Sequence, residues 1–269
     1  MDGASGRRAI VSAADLEPYI ERPLAPVDPQ LARALAEGPI DPAGALDRDD
    51  LDRLLDPAPL AVESGWCTLA DGVGYVAVRA AMPKVSAEMV DWWFDWHPRE
   101  PVRYRIWHPK AHRDNALEPP HGAGSKAHWG AVHHPVEDIG TGVVHARIAF
   151  CRPSELGFSS DGLDVPAVGT IVCGHAGDDV RRMRHTVMAH VFLKEGDGLT
   201  LRSRFWIGAA IRPYGPLGAP GARLLNNPFV RRAMIPAGVS RGLASHCAEE
   251  YTNLASLLPE LYDRFGPGA

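Results

Sequence analysis

The sequence predicts an α+β fold in which a curved antiparallel sheet grips one long helix, and three observations carry that prediction. Residues 239–265 keep one apolar stripe at helical spacing, marked by Leu243, Cys247, Tyr251, Leu254 and Leu258. Upstream lie several apolar segments of strand length bounded by Gly, Asp and Pro. Ahead of both, residues 1 to about 60 are rich in Asp, Pro and Ala, with little apolar surface to bury by themselves. A sheet followed by one amphipathic helix can bury both apolar faces against each other and leave a ligand cavity between them.

Each element has a local reason. In the leader, Asp28 to Glu37 and Asp47 to Leu55 are short helical patterns broken by Pro26, Pro39, Pro42 and Pro57. Such a segment either wraps the main body or packs on a second subunit, and a homodimer contact is the expectation here. Val62 to Leu69 and Gly74 to Ala81 read as a hairpin around Asp71-Gly72. Ser86 then caps a helix carrying Met89, Val90, Trp93, Phe94 and Trp96, and Pro98 ends it. Val102 to Trp107 alternates like a strand, with Tyr104 and Ile106 on one face, followed by a Lys-Ala-His-Arg-Asp-Asn loop. Leu117 to Gly130 is a Gly/Pro-rich loop. Gly142 to Cys151 and Ala167 to His175 read as strands. Arg184 to Leu193 and Leu199 to Ala209 form a second hairpin, turning at Glu195 to Gly198.

Composition narrows the function. Apolar content of 45% and charged content of 23% are those of a soluble globular protein. A net charge of −5 with no basic run gives no footprint for nucleic acid. No apolar run reaches the roughly 18 residues of a spanning helix, and the first residues lack the apolar core of a secretory signal. Cys67, Cys151, Cys173 and Cys247 are scattered without a CxxC pair, which fits a reducing, cytoplasmic setting. Residues 85–115 stand apart, holding four of the seven tryptophans and three of the twelve histidines. A short aromatic helix feeding a strand that ends in histidines resembles one wall of a pocket with a metal at its mouth.

The long helix carries His246 and Glu250 four residues apart, on one face and one turn from each other. Such a pair either shares a metal ion or is an ordinary polar pair on a solvated face. His112 and Glu137 are the upstream groups that could complete a site. Spacing alone favours a satisfied strand-end carboxylate at Glu137 over an inward ligand.

The stretch DWWFDWHPREPVRYRIWHPKAHRDN, the later Glu137 and HCAEEYTNL in the long helix together resemble the 2,4-diacetylphloroglucinol hydrolase and phloretin hydrolase family. The resemblance runs from about residue 60 onward and is strongest at Trp92 to Asn115 and Ser245 to Leu254. It implies a Bet v 1-like helix-grip catalytic domain over 61–269, preceded by a small helical region over 1–60 that makes dimer contacts. The implied reaction is zinc-dependent hydrolysis of the carbon–carbon bond between a phenolic ring and an acyl group, through metal-activated water. The implied substrate is a small phenolic ketone of the acylphloroglucinol or phloretin type. Four zinc ligands carry over to His112, Glu137, His246 and Glu250, with His108 the rival for the first. Tyr104 and Asn115 match substrate-contacting positions, and Trp107 supplies an apolar wall. His190, partnered by His175 or His185, matches the histidines that meet the phenolic hydroxyls and handle protons. Phe205 stands where relatives have a tyrosine, which implies a changed substrate preference.

Two other readings compete. A non-catalytic helix-grip carrier of a lipid or polyketide would explain a cavity and tryptophans, but has no need for His112, Glu137, His246 and Glu250 at once. A metal-dependent cyclase or isomerase would share the ligands, and product analysis separates it from the hydrolase.

Overall fold

The computed structural model describes residues 12–119, 126–162, 164–215, 222–235 and 238–268. Helix α1 (Ala13–Glu21) opens with a capping box between Ser12 and Asp15, and α2 (Pro29–Ala36) is capped by Asp28 with proline in its first turn. Two 3-10 segments follow, Pro42–Gly44 and Arg48–Leu54. Then come β1 (Gly65–Thr68), β2 (Gly74–Met82), α3 (Ala87–Trp96) and α4 (Pro101–Trp107). The rest of the sheet is β3 (His112–Glu118), β4 (Val132–Asp138), β5 (Val143–Cys151), β6 (Val168–Asp178), β7 (Met183–Glu195) and β8 (Gly198–Pro213), with the short α5 (Pro153–Leu156) between β5 and β6. Helices α6 (Ala222–Leu225) and α7 (Pro228–Met234) lead to α8 (Val239–Phe265).

The eight strands form one sheet in the order β1-β2-β8-β7-β6-β5-β4-β3, antiparallel at every pairing. Strand alternation gives the sheet two apolar faces. Val76, Val172, Phe192, Phe205 and Ile207 pack inward with α3, α4 and α8. Tyr75, Cys173, Val187, Ala189 and Trp206 pack outward beneath the 3-10 segments of the leader. The result is α+β, an antiparallel sheet with a long helix, consistent with a helix grip.

The leader lies on its own chain's body. The Trp206 indole donates to Leu46 O at 3.1 Å, and Arg202, 2% exposed, reaches Ala58 O and Glu63 at 2.8 Å. On the helix side, Tyr19 and Arg22 both bond Glu260 of α8.

Two local expectations are corrected. Val102 to Trp107 is helical: Pro101 sits in the first turn, where its fixed φ and missing N–H favour a helix, and Arg103 stacks on Trp96 at 4.5 Å. His112, expected in a loop, begins β3 instead. Helix α1, unanticipated, rests Leu16 and Tyr19 in the inner core. Of the expected loop over 117–130, residues 120–125 lie outside the described residues.

Candidate metal centre and aromatic cavity

Three elements converge at one end of the inner face. The β3–β4 register sets His112 directly opposite Glu137. Helix α8 crosses over them and presents His246 and Glu250 from successive turns. His112 Nε2 lies 3.3 Å from Glu137 Oε2, 3.6 Å from Glu250 Oε2 and 3.4 Å from His246 Nε2. His246 Nε2 is 3.7 Å from each carboxylate. The ligand atoms of His112, His246 and Glu250 all fall within 4.8 Å of one another, and Glu137 touches both imidazoles. Four ligands held roughly 2.0–2.2 Å from a central zinc would stand about 3.3–3.6 Å apart at the corners of a tetrahedron.

The imidazoles are pre-oriented. His112 Nδ1 lies 3.1 Å from Tyr104 O, an acceptor only, so Nδ1 carries the proton and Nε2 offers its lone pair to the cluster. The Tyr104 ring stacks on His112 at 4.0 Å, and its hydroxyl donates to Glu137. His108 is turned to another task. Its Nδ1 accepts from Ala111 N at 3.2 Å, which leaves Nε2 to donate to Glu249 at 3.0 Å.

Burial makes the cluster seek a cation. It lifts the Glu250 carboxyl to about 8, against the pull of the His246 charge. Burial works to lower His246, but the Glu137 hydrogen bond and the charges of Glu250, Glu137 and Glu249 prevail and raise it to about 9. Burial works to raise Glu137, yet the hydrogen bond and charge of His246, the His112 charge and the Tyr104 hydroxyl bring it down to about 2. His112 is pushed down to about 3 by burial. With no dication present, one carboxyl stays protonated and one imidazole carries the charge. His112, His246 and Glu250 lie close enough together to hold a divalent ion, Glu137 touches both imidazoles, and this donor set suits zinc among others.

A cavity opens beside the cluster. Phe94, Trp107, Phe150, Met188 and Phe205 give it apolar walls. Trp107 is pinned by its indole N–H donating to Glu250 O at 3.0 Å. A β-bulge between His112 and Asp114 shifts the strand phase by one residue. His112 and Asn115, three apart, thereby both face inward, whereas unbroken alternation would set them on opposite faces. Both polar atoms of the Asn115 amide are buried without a partner. His190 faces the cavity from β7, bonded through Nδ1 to Ser203 at 2.7 Å and edge-on to Phe205.

His175 is not part of this site. On β6 it shares the outer face with Cys173, whereas Val172 points to the cavity side. Burial and the charges of Arg184, Arg48 and Arg212 lower it to about 4 there. His185 is also outside the lining and bonds Thr186. Two histidines that spacing reasoning passed over do line the cavity, His97 and His133. The signal was available: His133 is two and four residues from Pro135 and Glu137, the period of one strand face.

The chain is 31% identical over 252 residues to the phloretin hydrolase of Eubacterium ramulus, covering 91% of this chain and 88% of that one. It is also 31% identical over 229 residues to the 2,4-diacetylphloroglucinol hydrolase of Pseudomonas protegens, covering 82% of this chain and 74% of that one. A Pseudomonas sp. 2,4-diacetylphloroglucinol hydrolase matches at 31%, with 82% and 78% covered. The DAPG hydrolase PhiG domain profile matches residues 46–263, and with these identities it establishes that the chain belongs to the DAPG hydrolase family.

Proposed function

We propose that this protein is a zinc-dependent hydrolase of the carbon–carbon bond joining a phenolic, phloroglucinol-type ring to an acyl group. The observation that carries the reading is the convergence of His112, Glu137, His246 and Glu250 at the mouth of an aromatic-walled cavity. The hydrolase names of the relatives support the reaction class. A zinc ion held by these four residues supplies Lewis acidity toward a carbonyl and lowers the pKa of water toward neutrality.

The remaining work falls to the chain. Phe94, Phe150 and Phe205 exclude water and hold a flat ring. Tyr104 fixes the Glu137 carboxylate, and the free Asn115 amide is placed to bond a substrate oxygen. The ring carbon cannot leave as a bare carbanion, so it must gain a proton. His190, buried at the cavity wall beside Phe205, is placed to take the phenolic proton as negative charge develops on the ring and to return it to that carbon. We further read the domain as Bet v 1-like, cytoplasmic and homodimeric, with light scattering the test of the last.

Metal analysis of purified protein, with product analysis on acylphloroglucinols and dihydrochalcones, tests the proposal. About one zinc per chain and release of the free phenol with a carboxylic acid are expected. Metal-free protein after zinc-supplemented expression, or a cyclised or isomerised product, would overturn it.

A further inference from the structure

Beyond the cluster, a row of rings runs into the cavity. Tyr104 stacks on His112 at 4.0 Å, His97 lies 6.0 Å from Tyr104, and His133 lies 5.5 Å from His97. His133 and Glu137 share one face of β4 four residues apart, roughly 13 Å along the strand. His97 and His133 thus stand at the end of the cavity away from the carboxylates.

Their hydrogen-bonding states are constrained. His97 Nδ1 lies 2.7 Å from Trp93 O, so it donates there and Nε2 is a bare acceptor. His133 Nε2 is sealed from solvent without a partner. The two residues are 1% and 3% exposed. In the tautomer that carries its proton on Nε2, His133 sets a donor beside the His97 acceptor, on rings whose centroids lie 5.5 Å apart, close enough for a single oxygen to bridge. A carboxylate would face the His97 lone pair, and an ammonium has nothing to give the His133 N–H. A hydroxyl satisfies both.

We propose that His97 and His133 form an acceptor–donor pair that recognises a ring hydroxyl of the substrate remote from its acyl group, making them specificity residues. This rests on the hydrolase reading given above. Burial holds both rings neutral, His97 at about 3 and His133 well below its ordinary value, so the pair keeps its mixed character across the physiological range.

The test compares 2,4,6-trihydroxyacetophenone with 2,6-dihydroxyacetophenone, which lacks the remote hydroxyl, on the full metal-loaded chain. Wild type is expected to favour the first by about tenfold or more in kcat/KM, since a site built to bond a hydroxyl rejects the analogue lacking it. His133→Leu and His97→Phe should lose that preference by slowing only the trihydroxy compound, and His133→Gln, which keeps a donor, should restore part of it. Circular dichroism and metal content establish that each variant is folded and loaded. Equilibrium binding of phloroglucinol against resorcinol reads the same subsite without turnover. It decides the inference even if wild type cleaves neither ketone, an outcome that would overturn the hydrolase reading alone. Equal affinity of wild type for the two ring compounds, or an unchanged preference in folded variants, would overturn the inference.

Discussion

Glu250 carries the sharpest consequence at the scale of single residues. Its carboxyl, lifted to about 8 by burial, is largely protonated near neutral pH without a cation, and glutamine closely imitates that form. Glu250→Gln is therefore expected to melt like the metal-free wild type while losing the stabilisation that zinc confers. At a hundred times Kd that stabilisation is about 2.7 kcal/mol. Thermal melts with zinc and with chelator check this, and a zinc-induced rise retained in full would remove Glu250 from the ligand set. Phe205 is the second such position. It presents an apolar edge to His190, and shape discrimination by an apolar wall is worth only about 1–3 kcal/mol per methylene-sized difference. Phe205→Tyr is expected to re-rank kcat/KM among acylphenols, and an identical ranking in the folded, metal-loaded variant would refute that. These residues were legible in the sequence to different depths. That His246 and Glu250 share a face follows from helical period alone, whereas their role as ligands needs the family resemblance, and the face of Phe205 follows from strand period. Asn115 does not, because the bulge that turns it inward arises only when β3 pairs with β4.

Elements show where period fails as a guide. Helix α8 and the β7–β8 hairpin are readable because their patterns run long, over 27 residues in the helix. Helix α4 has only seven, and its alternation satisfies both periods, with Tyr104 and Trp107 also sharing a helical face at i and i+3. His175, matched only through the family resemblance with His185 as its alternative, lies on the outer face with Cys173. The seating of α8 depends on one glycine. A Cβ at Gly242 would lie 2.6 Å from Ile139 O and 3.2 Å from the Gly140 carbonyl carbon, both rigid backbone. Alanine in a helix interior ordinarily gains up to about 1 kcal/mol over glycine. Here the clash should reverse that sign, lowering Tm and weakening zinc affinity, because His246 sits one turn beyond the contact. A Gly242→Ala variant that is more stable and binds zinc as tightly would show that the helix has room to shift.

For the whole molecule, acid is the revealing variable. His97 and His190 are buried neutral at about 3, and His128 at about 4, chiefly through loss of hydration. The unfolded chain protonates the same groups near 6.5, so between that value and about 3–4 it binds more protons than the folded one. The contribution of these three groups is full above pH 6.5 and falls as pH drops through this window, by up to about 1.4 kcal/mol per pH unit for each. Urea midpoints against pH check the slope, which His190→Gln should flatten; a midpoint constant from pH 7 to 4 would refute it. The leader enters at this scale as well. Its backbone carbonyls at Asp56 and Ala58 meet Arg202, 2% exposed on the outer face. We propose that it also supports a homodimer. A chain starting near Ala61 should lose both thermal stability and dimerisation, and a fully active truncated dimer by light scattering would argue against it. That the leader packs on its own sheet was not legible, because its few leucines specify burial without naming the surface that buries them.

The order of the elements along the chain also sets an order in time. Helix α8 follows all eight strands, so a ribosome delivers His112 and Glu137 well before His246 and Glu250. Until then half of the donor set is missing, and the apolar floor formed by Phe94, Phe150 and Phe205 has no roof. Glu260, which anchors Tyr19 and Arg22, arrives later still, so the first helix must wait for nearly the last turn of the chain. A nascent chain therefore holds an incomplete donor set and an uncovered apolar floor until α8 closes over them.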